Sequence, residues 1–154
     1  MLNKAARLVG ATKLAVGHNL DDEAQAVILN FLRGDMARAG RLKPVNDTSG
    51  EFVPRVKPFR DLPEKEVGLY AIINGLEVQE SECPYAKGHR FEIRDFLNQV
   101  ESRHPGTKLQ VLASSDCIAP AIQKLGLGKG GVGKCKGCGE PCSQGTCKAC
   151  ELWK

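Results

Sequence analysis

Four cysteines near the carboxyl end of the chain are spaced as two C-x₂-C pairs, the ligand pattern of a metal site. A structural Zn²⁺ is commonly held by four thiolates, and each C-x₂-C pair supplies two sulfurs from one tight turn. The segment lacks an apolar run that could form a core, so a bound metal would supply its folding energy. The alternative is two disulfides in a secreted module. We therefore predict zinc ligands at Cys135, Cys138, Cys147 and Cys150, with Cys142 left out.

A second stretch with possible chemistry is the loop GHNLDD at residues 17–22. Gly17 lets the backbone approach a bound group closely, and His18 can donate or accept hydrogen bonds with a nucleotide. The carboxylates of Asp21 and Asp22 are ligands that suit Mg²⁺. Acids at the start of a helix also compensate the helix dipole, and this ordinary role stays open for both. Because ligands of α/β sheets bind beyond the carboxyl ends of strands, we expect the loop at such an edge.

Cys83 stands alone before Pro84, in a loop after a short extended segment. A lone cysteine is commonly a small buried apolar residue, whereas at the edge of an α/β sheet it can be a nucleophile or a metal ligand. The pattern leaves these interpretations open. Cys117 lies in a helical stretch and is interpreted as structural.

The elements that would position these residues alternate between helices and short strands, the order typical of an α/β sheet. Apolar periodicity predicts helices at residues 2–9, 22–33, from Pro63 to Gly75, 90–103 and 108–125, and extended segments at 13–16, 52–56 and 76–78, with residues 36–62 otherwise irregular. The residues predicted to face inward include Ala24, Val27, Ile28, Phe31 and Leu32 of the second helix and Phe91, Phe96, Leu97 and Val100 of the fourth. The chain is predicted to divide into an α/β domain at 1–125, a glycine-rich linker at 126–134 and a zinc ribbon at 135–154.

The net charge of +4 is concentrated in the tail. Residues 1–122 contain 16 basic and 16 acidic side chains, whereas residues 123–154 contain six lysines and two glutamates. Two basic patches fit a polyanion such as RNA, and ordinary solvated faces are the alternative. The first patch holds Arg33, Arg38, Arg41, Lys43, Arg55, Lys57 and Arg60, and the tail adds Lys134 and Lys136. The absence of a signal-peptide run or an apolar run of membrane-spanning length predicts a cytoplasmic protein with reduced thiols.

Several segments together resemble the PP-loop tRNA 2-thiolation enzymes of the TtcA/TtuA superfamily, in the branch with a C-terminal zinc finger. The segments are LNKAARLVGATKLAVGHNLDDEAQAVILNFLRGD from Leu2, PEKEV from Pro63, ECPYA from Glu82 and CKGCG…CKACEL from Cys135. The resemblance implies part of a Rossmann-like PP-loop ATPase domain followed by a zinc ribbon. It also implies an enzyme that adenylates the C2 oxygen of a tRNA uridine with ATP and replaces that oxygen with sulfur.

The resemblance further implies roles for individual residues. Gly17, His18 and Asp21 would contact ATP and its Mg²⁺, Asp22 would be the catalytic acid, and Cys83 would be the third cysteine of a [4Fe-4S] cluster. The basic residues expected to contact tRNA are Arg33, Arg38, Arg41, Lys43, Lys134 and Lys136. The implied partners are tRNA, a ubiquitin-like sulfur carrier protein and a second copy of the chain in a homodimer.

The sequence also departs from the family. The family's SGGKDS phosphate loop, its N-terminal zinc finger and the C-x₂-C pair that completes the cluster all precede the segment matching Leu2, and the sequence contains none of them. We therefore expect an N-terminally truncated protein that does not catalyse alone, binds about one zinc and holds no stable iron–sulfur cluster. Two other functions stay open: a non-catalytic RNA-binding or adaptor module, and a PP-loop ATP pyrophosphatase that modifies another nucleoside.

Overall fold

Seven helices and two short β-ladders form the part of the chain that the computed structural model describes, namely residues 2–42, 52–79, 88–127, 133–142 and 144–153. In chain order the elements are α1 (Leu2–Leu8), β1 (Leu14–Ala15), α2 (Leu20–Leu32), α3 (Met36–Ala39), β2 (Arg55–Val56), α4 (Glu64–Ile73), α5 (His89–Arg103), α6 (Thr107–Lys124), β3 (Gly133–Lys134), β4 (Pro141–Cys142) and α7 (Lys148–Leu152). None of these helices combines the length and the apolar character needed to cross a membrane. The mixture of helices with a parallel ladder confirms the α/β class.

β1 and β2 form a parallel ladder that fixes where the loop GHNLDD lies. Leu14 is opposite Arg55 and Ala15 is opposite Val56, and the amide of Val16 donates to the carbonyl of Val56 at 3.0 Å. Parallel strands require a crossover connection, which here contains α2 and α3. Because the strands run in one direction, their carboxyl ends share an edge, and the loop follows β1 at that edge.

α2 is the central helix and packs against α5 and α6. Two buried clusters carry this packing: Leu20, Val27 and Leu112 join α2 to α6, and Ala24, Ile93 and Leu97 join α2 to α5. Ala24 is fully buried, and its small side chain lets α5 approach closely. The prediction that Phe31 and Leu32 of α2 face inward was wrong, since Phe31 is 41% exposed and Leu32 is 73% exposed. The cause is that both clusters are built from the earlier turns of α2.

The buried face of α5 also differs from the predicted one. Ile93 and Leu97 are buried, whereas Phe96 is 56% exposed and Phe91 and Val100 are only half-buried. Residues four apart share one face of a helix, so Ile93 and Leu97 together meet α2. Phe96 is rotated about 100° from Leu97, and this turns its ring away from the contact.

Two backbone segments differ from the prediction. Residues 76–78, predicted as a short strand or extended segment, belong to no β-ladder among the described residues. Gly75 adopts a left-handed φ of 62°, and the amide of Leu76 closes the end of α4 by donating to the carbonyl of Ala71 at 2.9 Å. The region predicted as irregular contains the short helix α3, which begins where the side chain of Asp35 accepts the amide of Arg38 at 2.9 Å. Local capping bonds decide both outcomes.

Candidate metal centre and nucleotide loop

The structure brings the four predicted zinc ligands to one point. The Sγ atoms of Cys135, Cys138, Cys147 and Cys150 all lie within 4.8 Å of one another. Cys135 is the buried member of the group, with 3% exposure. Cys142 lies outside the group, and its Sγ contacts the carbonyl oxygen of Gln144. Four thiol groups are therefore arranged around a common centre, which we call the cysteine cluster.

The spacing of the cysteine cluster fits a single tetrahedral ion. Zn–S bonds of about 2.3 Å around one ion place neighbouring sulfurs about 3.8 Å apart. The Sγ atoms of Cys138 and Cys147 are 3.7 Å apart. The donor set and its spacing therefore fit one four-coordinate metal ion, and zinc is a metal that takes such a set of thiolates.

Glycines shape the turns that carry the first two ligands. Gly139, directly after Cys138, has a φ of 71°, a conformation that favours glycine. A Cβ at Gly137 would lie 3.2 Å from the Sγ of Cys150, so a larger residue there would crowd the cluster. The amide of Cys135 donates to the carbonyl of Glu140 at 2.8 Å, which closes the turn against the β3–β4 hairpin. The local sequence thus folds the first pair into a tight knuckle.

Backbone hydrogen bonds and neighbouring thiols shift the pKa values of the cysteine cluster in opposite directions. Backbone amide donors, first that of Cys147 and then that of Cys138, lower the pKa of Cys135 from 9.0 to about 6. The neighbouring thiol of Cys147 and then those of Cys138 and Cys135 raise the pKa of Cys150 to about 12. The thiolate of Cys135 therefore forms readily, whereas that of Cys150 needs a cation to neutralise its charge.

Glu140 joins the metal-binding segment to α1. Its carboxylate accepts from the side-chain amide of Asn3 at 3.0 Å and lies 3.4 Å from the guanidinium of Arg7. Asn3 is buried, and its own carbonyl oxygen accepts the amide of Val53 at 2.8 Å. The side chain of Asn3, in α1, thus contacts both Glu140 of the metal-binding segment and Val53, which leads into β2.

The loop GHNLDD leaves space at its glycine and builds a cap at its asparagine. A Cβ added at Gly17 would meet no atom within 4 Å, so packing alone does not require glycine there. His18 is exposed. Asn19 accepts the amide of Asp22 at 3.0 Å while Asp22 accepts the amide of Asn19 at 3.3 Å. This reciprocal capping box starts α2 and fixes the backbone from Asn19 to Asp22.

Asp22 also accepts a bond from a residue distant in the chain. The guanidinium of Arg90, at the start of α5, donates to its Oδ1 at 2.5 Å and to Oε1 of Gln25 at 3.1 Å. The side chain of Asp22 is 32% exposed, so solvent and ligands can reach the carboxylate. Sequence reasoning missed Arg90, because a lone arginine at a helix start gives no signal of its partner.

Asp21 occupies a different environment from Asp22. It is 5% exposed, and its carboxylate accepts bonds from the ammonium of Lys108 and, at 2.8 Å, from the amide of Glu64. The ammonium of Lys108 also donates to Asn98 at 2.6 Å. Protein donors thus occupy both oxygens of Asp21, and they tie the start of α2 to α4 and α6. Its predicted contact with ATP stays a prediction.

The basic residues separate into exposed and buried groups. Lys57 donates to Glu23 at 2.7 Å with 11% side-chain exposure, and Arg60 contacts Asp116 at 2.5 Å with 9% exposure. These two cations were counted in the first basic patch, but their partners on α2 and α6 bury them, so they do not add to its exposed charge. Among the described residues of the two predicted patches, the exposed ones are Arg33, Arg38, Arg41, Arg55, Lys134 and Lys136. Cys83 and Lys43 lie outside the described residues, so their predicted roles stay predictions.

The fold and the site define a class: an α/β protein with a capped acidic loop at the carboxyl edge of a parallel ladder, followed by a four-cysteine metal segment. No family model matches the chain. It is 39% identical to the tRNA 2-thiolation protein NcsA of Haloferax volcanii, covering 99% of this chain and 50% of that protein. It is 34% identical to the tRNA-5-methyluridine(54) 2-sulfurtransferase of Pyrococcus horikoshii, covering 99% of this chain and 49% of that protein.

A solved structure agrees with these relatives. The U34-tRNA thiolase NcsA from Methanococcus maripaludis with its [4Fe-4S] cluster has a TM-score of 0.75 and 34% identity, over 97% of this chain and 47% of that one. The Chlamydomonas reinhardtii cytoplasmic tRNA 2-thiolation protein 1 is 39% identical over 98% of this chain and 42% of its own length. The chain spans about half the length of the relatives it matches. It is a homologue of the tRNA 2-thiolation proteins, and the resemblance found in its motifs is confirmed.

Proposed function

We propose that this chain is part of a tRNA 2-thiolation enzyme, with a PP-loop, Rossmann-like ATP-binding fold, that acts in the cytoplasm. Such an enzyme uses ATP to adenylate the C2 oxygen of a tRNA uridine and then replaces that oxygen with sulfur. One observation carries the proposal. This chain is a homologue of these proteins, and its own loop GHNLDD follows β1 at the carboxyl edge of a parallel ladder, where α/β sheets bind nucleotides.

Within this function, the loop residues bind and orient the nucleotide. The open space beside Gly17 allows the backbone to approach a phosphate or ribose, and the exposed imidazole of His18 can hydrogen-bond to it. Asp22 is held in one orientation by Arg90 and by the amide of Asn19. A partly exposed carboxylate in this position can hold Mg²⁺ beside the phosphates or assist adenylation. Asp21 supports the loop from the buried side.

The carboxyl-terminal segment has a structural and RNA-binding role in this proposal. Zinc, held by the cysteine cluster, would supply the folding energy that the segment lacks. The exposed cations Lys134 and Lys136, with Arg33, Arg38 and Arg41 of the α/β part, would contact tRNA phosphates. Cys83 stays a proposed ligand of an iron–sulfur cluster. A ubiquitin-like sulfur carrier as donor and a homodimer likewise belong to the proposal.

Nucleoside analysis of tRNA tests the activity. In a strain without the gene we expect 2-thiouridine to disappear from tRNA, and digestion fragments will show whether position 34 or position 54 is affected. Complementation with Asp22→Asn should leave thiolation about 100-fold or more below wild type, as for loss of an acid–base group. Asp95→Asn is the matched control, because Asp95 is exposed on α5 and pairs with its neighbour Arg94. We expect it to restore thiolation fully.

Persistence of every thiolated nucleoside in the deletion strain would contradict the proposal and favour the adaptor module or an enzyme that modifies another nucleoside. Metal analysis tests the zinc assignment separately. The purified chain should contain about one zinc atom, with four thiols that react only after chelation. Iron and sulfide bound by the cysteine cluster in place of zinc would contradict this assignment.

A further inference from the structure

The most exposed apolar side chains of the metal-binding segment lie at the end of α7. Leu152 and Trp153 are each 85% exposed. The amide of Trp153 closes the helix by donating to the carbonyl of Ala149 at 3.2 Å, so its backbone is fixed while its ring faces solvent. An indole usually contributes a large buried area. Leu152 and Trp153 are consecutive, so together they form an exposed apolar patch that can serve as a contact surface.

The metal-binding segment that carries this ring has an excess of positive charge. Lys134 and Lys136 are exposed and have no ion-pair partner among the residues that the structure describes. The two glutamates of the segment do not offset them fully, because Glu140 is engaged with α1 and Glu151 pairs with Lys148 at 2.8 Å. An uncompensated pair of lysines together with an exposed indole suits a ligand that carries both phosphates and flat rings.

We propose that Trp153 stacks on an unpaired nucleotide of tRNA while Lys134 and Lys136 bind flanking phosphates. This inference rests on the proposed function and adds to it a site for a single-stranded part of the RNA. An aromatic side chain can stack on the face of any base once that base is unstacked, whereas a fully paired helix keeps its bases covered. The positive charge favours this ligand over an apolar face of a protein partner, which would leave the lysines without partners.

The chain contains one tryptophan, so its intrinsic fluorescence reports on Trp153 directly. The zinc-loaded chain would be titrated at low salt with tRNA, with an unstructured single-stranded RNA and with a fully paired RNA hairpin stem of equal phosphate number. We expect tRNA and the single strand to quench the indole emission and the paired stem to bind without quenching. Both variants lack the indole, so their binding would be followed by the fluorescence anisotropy of dye-labelled RNA. Trp153→Ala should weaken binding of the single strand about tenfold, and Trp153→Phe, which keeps a stacking ring, less than threefold. Neither change should alter zinc content or binding of the stem.

The results can overturn the inference in three ways. Equal binding of single strand and stem without quenching would show that phosphate contacts act alone. A change in emission with protein concentration in the absence of RNA would show that a second copy covers the ring. Failure of every RNA to bind would exclude the site, and the tRNA nucleoside analysis would then decide independently whether the thiolation function also fails.

Discussion

Lys108→Met tests the buried ion pair that holds the start of α2 in place. The ammonium of Lys108 bonds to Asp21 and to Asn98, and the side chains of Lys108 and Asp21 are 9% and 7% exposed. Methionine keeps much of the length of the lysine stem but removes its charge. The variant therefore leaves the carboxylate of Asp21 buried, with the amide of Glu64 as its remaining donor.

Removing one partner of a buried ion pair costs about 3–5 kcal/mol of unfolding free energy, since the other charge loses its compensation. Exposure below a tenth leaves little solvent screening, while the retained amide donor moves the expected loss toward the lower end, about 3 kcal/mol. Arg38→Met is the matched control. Arg38 lies 3.3 Å from Asp35 with 61% side-chain exposure, and exposed pairs contribute at most about 1 kcal/mol.

Urea unfolding of the zinc-loaded chain, followed by circular dichroism, measures both losses. The double variant Asp21→Asn/Lys108→Met buries no charge, and its asparagine can still accept the amide of Glu64. We expect it to recover more than half of the loss caused by Lys108→Met. The single variant Asp21→Asn completes the comparison. If Lys108→Met costs no more than Arg38→Met, or if the double variant loses the sum of the losses of Asp21→Asn and Lys108→Met, the ion-pair argument is wrong. If Lys108→Met alone does not fold, a cooperative transition in the double variant still supports it.

Three further changes test other parts of the structure. Cys150→Ser should leave the chain with well under one zinc atom after dialysis against a weak chelator, whereas Cys142→Ser should keep its zinc; equal retention would contradict the ligand set. Asn19→Ala should lower the unfolding free energy by about 1 kcal/mol, and Asn19→Asp should keep most of it, because aspartate also caps helices. Glu140→Ala should raise amide hydrogen exchange in α1 around Asn3 without loss of zinc, since only its backbone carbonyl supports the knuckle; unchanged exchange would show that this contact does not hold α1.

Much of the candidate site was predictable because its information is local. Two C-x₂-C pairs place four sulfurs on two short turns, and the structure brings them together around one centre. Asn19 caps α2 through a residue three positions away. Contacts between distant parts of the chain were not predictable in the same way. Glu140 accepts a hydrogen bond from Asn3, 137 residues away, and neither residue type suggests the other as its partner.

The sequence by itself determined the order of the five longer helices and of β1 and β2, the metal-ligand pattern and the resemblance to the tRNA 2-thiolation proteins, since each is read from stretches of consecutive residues. Only the tertiary structure decided that Asp21 is buried beside Lys108 while its neighbour Asp22 stays accessible beside Arg90, and that the ring of Trp153 faces solvent. The physical reason is that the burial of a side chain depends on what packs against it, and those partners come from distant parts of the chain.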